Sequence, residues 1–167
     1  MRRLCAGGDV EQVEGSPIAI RRIIDHRKPV RIFGASFEAF QVEHSILAPA
    51  VGYKIRAGKA CVFYAPDLVS IHGQCEALAG VDLYVGDGAS IARPLVRRRG
   101  KSLIGHASIR DQIAWCSKER VPRAIFTHCG TQIVSGGDKK AREQVERMGH
   151  ELGVKAELAQ DGWETEV

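Results

Sequence analysis

Apolar and polar positions alternate with a period of two across much of residues 30–65, and strand-like and helix-like patterns take turns after residue 70. Upstream of both, Ser16-Pro17 opens the apolar-periodic stretch IAIRRIIDHR. Serine suits an N-cap and proline the first helical turn, so a helix is predicted over residues 17–27, ended by Pro29. Residues 30–33, 37–43 and 52–56 read as strands, separated by Gly34 and by the turn signal Ala57-Gly58-Lys59. The continuous apolar run ACVFYA at 60–65 reads as a strand buried on both faces. A short helix is expected over 73–79, a strand over 82–86 ending in the turn GDG, and a helix from Ser108 to about residue 120. Residues 123–128 form another buried strand, Asp138 caps a charged helix to about residue 152, and Gly153 stops it. Residues 154–159 and 163–167 read as a last strand pair about an Asp161-Gly162 turn. This alternation implies an α/β layered fold.

The chain has 167 residues with 44% hydrophobic and 26% charged positions, an ordinary globular balance that excludes a disordered chain or a fibre. We expect one domain over residues 1–167, with residues 1–15 as a loop or arm. No apolar run approaches the roughly 18 residues of a membrane helix. The start has no apolar stretch of the kind a secretory signal needs. The net charge of +4 does not by itself indicate nucleic acid. The five cysteines, Cys5, Cys61, Cys75, Cys116 and Cys129, include no CxxC pair, which points to reduced thiols and a cytoplasmic setting. Cys61 and Cys116 sit in apolar runs and read as core residues.

Candidate chemistry collects at strand ends. His44 ends FEAFQVE, Asp67 follows ACVFYAP and His128 ends RAIFTH, while His106 stands just before a helix N-terminus in GHAS. Alone, each reads as an ordinary structural residue; as an ordered set they offer the ligand types of a zinc site. Asp87 in GDG reads as a turn residue, and His26, His72 and His150 as solvated. Arg93, Arg97, Arg98, Arg99 and Lys101 read first as a solvated charged loop, and second as a group that steers an anion toward His106.

In order, QVEHSILAPAVGYKI, VFYAPD, VDLYVGDGAS with GHASI, and AIFTHCG resemble the later motifs of the metallo-β-lactamase fold. They are closest to the phosphodiesterase branch that includes tRNA-maturing ribonuclease Z. The spacings of 23 and 61 residues between His44, Asp67 and His128 suit that pattern, and the resemblance covers about residues 30–167. It implies an αββα sandwich, a zinc-dependent hydrolase of a small-molecule or phosphoester substrate, metal ligands His44, Asp67 and His128, and catalytic roles for Asp67 and His106. The branch's upstream His-x-His-x-Asp-His is missing: its trace is Asp25-His26, with Arg21 and Ile23 at the two other histidine positions. We read Asp25-His26 as the end of an ordinary helix, and expect the fold to be N-terminally truncated. One or two zinc ions would then keep at most two protein ligands each.

A competing expectation follows from that truncation. A sandwich lacking a layer exposes apolar faces, which a homodimer or another homo-oligomer would bury, and the His/Asp set would then be a relic in a binding module. A phosphate binder built on GDG and the N-terminus of the helix after Ser108 is a third reading. It has little support, because neither GxGxxG nor GxxxxGK[ST] occurs.

Overall fold

The computed structural model describes residues 24–135 and 138–167. Its first part is an antiparallel meander of β1 (Val30–Ile32), β2 (Ala35–Glu43), β3 (Ala50–Ala57) and β4 (Ala60–Tyr64). Phe33 and Gly34 both have positive φ, 47° and 84°, which is the two-residue turn whose twist matches a hairpin. The short β5 (Ser70–Ile71) pairs with β2, and α1 (Gln74–Leu78) follows it. Next come β6 (Leu83–Asp87), the hairpin of β7 (Leu95–Arg99) and β8 (Ser102–His106), and α2 (Ile109–Lys118). The chain closes with β9 (Arg123–Thr127), α3 (Thr131–Ser135), α4 (Asp138–Glu151) and β10 (Lys155–Leu158).

One large sheet runs β1-β2-β3-β4-β6-β9-β10, and β4, β6, β9 and β10 are mutually parallel. Two antiparallel steps separate β2 from β4, so β2 runs in the same direction as β4, β6 and β9. The carboxyl ends of these four strands therefore share one edge of the sheet. That edge is where α/β sheets place ligands.

An aromatic row crosses the sheet and holds it to the helices. Phe40 of β2 meets Phe63 of β4 edge-on at 6.0 Å, Phe63 stacks on Tyr84 of β6 at 6.0 Å, and Tyr84 meets Phe126 of β9 at 6.3 Å. All four are at most 1% exposed. Between the first two lies Gly52 of β3, where a Cβ would stand 2.7 Å from the Phe63 ring and 2.9 Å from the Ala65 methyl. Ile109, Ile113 and Cys116 of α2 and Val145 of α4 complete the same core. Arg27 caps its outer end, its guanidinium 4.3 Å from the centre of the Phe40 ring.

Mixed α/β architecture with sheets flanked by helices agrees with the pattern reading, as do α2, capped by Ser108, and α4. Several expectations need correction. Residues 17–23 of the first helix lie outside the described residues, as do residues 1–15. Residues 24–27 are not helical: His26 bridges to Ala39, the Arg27 amide donates to the Ala39 carbonyl, and Arg27 has φ 63°. Strand β4 is not buried on both faces. Cys61 and Phe63 are inside, whereas Tyr64 on the other face is 43% exposed. Residues 163–167 form no strand; Arg123 donates to the Glu166 carbonyl and the Thr165 hydroxyl. The arginine run is not a loop but β7, every residue of which is exposed.

Burial makes two cysteines inert. It pushes the Cys116 thiol up to about 12 and raises that of Cys61. At pH 8 a maleimide should leave both unmodified in the native protein and label both in guanidinium, while the exposed Cys75 reacts without denaturant. Peptide mass mapping checks this; native labelling of Cys116 would contradict the packing described.

Candidate metal and acid–base site

The shared strand edge gathers His44 after β2, Asp67 after β4, Asp87 at the end of β6 and His128 after β9. His106 arrives from the side at the end of β8. Single ligand atoms of Asp67, Asp87, His106 and His128 all lie within 4.8 Å of one another. His44 stands against this group, with Nδ1 2.9 Å from Asp67 Oδ1. The structure thus brings His44, Asp67, His106 and His128 together, and adds Asp87. The reading of Asp87 as a turn residue is overturned: it belongs to the strand and is 0% exposed.

Two glycines let the loops close. A Cβ on Gly88 would stand 2.5 Å from the Thr127 carbonyl oxygen, and one on Gly130 would strike the Ala89 carbonyl. The Gly88 amide donates to Thr127 and the Gly130 amide to Gly88, which sets the ends of β6 and β9 side by side. His128 itself has φ 56°, in the left-handed region, and a half-exposed side chain. A third glycine, Gly105 at φ 120°, lies so close to the Leu95 carbonyl that no side chain fits. Its amide donates to the His44 carbonyl, and its carbonyl accepts from His44 Nδ1 at 3.0 Å. That bond fixes the His44 ring with Nδ1 on the Gly105 side.

Asp87 is the most heavily held group. Its Oδ2 accepts from the Leu68 amide at 3.1 Å and from His106 Nδ1 at 2.8 Å, and its Oδ1 accepts from the Ala89 amide at 2.8 Å. Its backbone is gripped by Gln112, fully buried on α2. Gln112 Oε1 accepts from the Asp87 amide at 2.8 Å and from the Tyr84 hydroxyl at 2.9 Å; Nε2 donates to the Asp87 carbonyl at 2.7 Å. Gly86 leaves the room this amide needs. Burial drives the Tyr84 hydroxyl well above its ordinary value, so it stays a donor.

Asp67 presents the opposite case. Its Oδ1 is buried and has no hydrogen-bond partner, although His44 Nδ1 and His106 Nδ1 lie 2.9 and 3.1 Å away. Both of those N–H groups point elsewhere, to Gly105 and to Asp87. An orphaned carboxylate oxygen beside a second buried carboxylate is costly unless a cation joins them. Imidazole nitrogen with carboxylate oxygen is a donor set for zinc, manganese or iron. The residues therefore fit a divalent metal.

Sequence reasoning missed Asp87 and Gln112. A signal for Gln112 existed: Ile109, Ile113 and Cys116 define the apolar face of α2, and Gln112 lies on that same face.

The carboxyl edge of this α/β sheet thus gathers histidines and aspartates of the types that hold metals. The chain belongs to the β-lactamase superfamily domain family, whose profile matches residues 1–129. Among solved structures it is similar to the metallo-β-lactamase fold protein YhfI from Bacillus subtilis, with TM-score 0.64 and 14% identity over 82% of this chain and 52% of that one. A diphosphatase of the PhnP family gives TM-score 0.54 and 21% identity over 86% and 47% of the two chains. Isothiocyanate hydrolase from Delia radicum gut bacteria gives 0.58 and 12% over 81% and 55%. The chain thus spans about half the length of the structures it resembles. No curated protein matches the sequence significantly. Among the described residues, no helix is long and apolar enough to cross a membrane.

Replacing Gln112 by Leu orphans the Tyr84 hydroxyl and the Asp87 backbone, at about 1–3 kcal/mol for each buried group. Gln112→Leu should therefore lower unfolding stability by about 3 kcal/mol or more. Tyr84→Phe should cost less in that background than in the native protein. Denaturant unfolding of the double-mutant cycle measures both; additivity would dissolve the link between core and site.

Proposed function

We propose that the chain is a metal-dependent hydrolase acting on a phosphoester. The observation that carries this reading is the buried, unpartnered Oδ1 of Asp67, set between the imidazoles of His44 and His106 in a carboxylate that has an oxygen within 4.8 Å of ligand atoms of Asp87, His106 and His128. His44, Asp67 and His128 would hold the metal, which we take to be zinc, at one or two positions. A divalent ion there supplies Lewis acidity toward a phosphoryl oxygen and a nucleophile at neutral pH.

The chain's own residues divide the remaining work. Asp67 presents a carboxylate oxygen that no protein hydrogen bond uses, so it is available to a cation. His44 is held by Gly105 through Nδ1. His106 donates Nδ1–H to the buried Asp87, which fixes the ring. From Nε2 His106 would hand a proton to the departing alcohol. Asp87, clamped by two amides and by Gln112, cannot swing away while this happens. The likeness to a diphosphatase of the PhnP family is in keeping with a phosphoester.

The test is cleavage of bis(p-nitrophenyl) phosphate by protein loaded with zinc or manganese. Asp67→Asn and His128→Ala should lose metal by elemental analysis, and with it turnover. His106→Ala should retain metal and lose about 10²–10⁴-fold in kcat, the usual worth of a positioned acid. A metal-loaded protein that fails to cleave the diester, or that cleaves it equally well as His128→Ala, would overturn the reading.

A further inference from the structure

The net positive charge of this protein is concentrated in the segment that carries the β7–β8 hairpin. Between Asp87 and Asp111 the sequence has no acidic residue and six cations, Arg93, Arg97, Arg98, Arg99, Lys101 and Arg110. The chain's net +4 is therefore +6 on this segment against −2 elsewhere. All residues of β7 are exposed, as are Arg93 and Lys101. Their hydrogen-bonding groups meet no carboxylate in any ion pair of the described residues. Charges that served only solubility would be interspersed with acids; a single-sign field marks steering of an opposite charge.

Register fixes where the field points. Leu95 pairs with His106, Arg97 with Ile104 and Arg99 with Ser102. Residues opposite one another in an antiparallel pair share a face, so Arg97 and Arg99 stand on the face that carries His106. Alternate residues of a strand repeat every ~7 Å, which puts Arg97 and Arg99 at about 7 and 14 Å along the hairpin from the His106 level. Arg98 lies on the other face, and Lys101 is in the turn.

We propose that β7–β8 is a rail for an unbranched chain of phosphates, one end of which lies at His106. This rests on the phosphoester reading and narrows its substrate class to esters that carry several consecutive phosphates. Two features set the chemistry. Residues 88–110 contain no Phe, Tyr or Trp, so the rail offers charge and no ring on which nucleic-acid bases would stack. Its apolar pair, Leu95 and Val96, sits at the base beside the site, whereas the tip is Gly100-Lys101-Ser102, which has nothing to insert into a lipid surface.

Calorimetry on the full chain in EDTA, with inorganic orthophosphate, tripolyphosphate and a polyphosphate of about twenty units as probes, tests the rail apart from hydrolysis. Affinity should rise at least tenfold from orthophosphate to tripolyphosphate, rise again with the longer chain, and fall steeply with salt. The joint variant Arg97→Gln/Arg99→Gln, checked for unchanged circular dichroism, should lose at least tenfold for tripolyphosphate. Lys139→Gln/Lys140→Gln, which removes equal charge from an exposed part of α4, should lose less than twofold. Equal losses in the two variants, no dependence on chain length, or tighter binding of oligothymidylate of matched charge would overturn the proposal. Chain-length-dependent binding without diester cleavage would sustain the rail and remove the hydrolase; cleavage with no such binding would do the reverse.

Discussion

A carboxylate with no exposure to water sits at the end of a central strand, and the architecture is arranged around keeping it there. Asp87 is buried there with three donors directed at its carboxyl group. Two come from the turns after β4 and β6 and one from His106, so three separate stretches of chain are tied to one oxygen pair. Gln112 then ties the strand's backbone to α2, and through Tyr84 to the aromatic row that crosses the sheet. Core packing and site geometry are in this way one connected object. A disturbance in either is felt by the other.

The contrast with Asp67 is what gives the site its chemical character. Both aspartates lie at the same sheet edge, yet one has a donor on each carboxylate oxygen and the other has a buried oxygen without any. The difference arises from the histidines between them. His44 and His106 each have one N–H on the near side, and each spends it on a different acceptor. A polar site with fixed positions and an unmet need for positive charge is preorganised for a cation, because little has to move when one arrives.

Much of this was written in the chain, and what was not has definable causes. Strands that alternate, such as β2 and β3, and helices with a marked cap, such as α2 after Ser108, were read correctly because local pattern and tertiary role agree. The ends of β2, β4 and β9 were legible for the same reason, which is why His44, Asp67 and His128 could be picked out, while His106 was marked by the helix N-terminus that follows it. Asp87 was misread because glycine neighbours signal a turn, whereas Gly86 and Gly88 serve close approach of Gln112 and Thr127. Residues 24–27 followed helical periodicity but pair with β2 instead, through the bridge of His26 to Ala39 and the bond from the Arg27 amide to the Ala39 carbonyl. The full burial expected of β4 failed because composition cannot say what covers the second face of a sheet.

The left-handed backbone of His128 has an evolutionary corollary. Glycine or asparagine would sit there with less strain, so the position pulls two ways, toward a sturdier fold and toward an imidazole at the sheet edge. Drift that relaxed the demand for that ring would be rewarded with thermal robustness, and descendants freed from chemistry should shed it early.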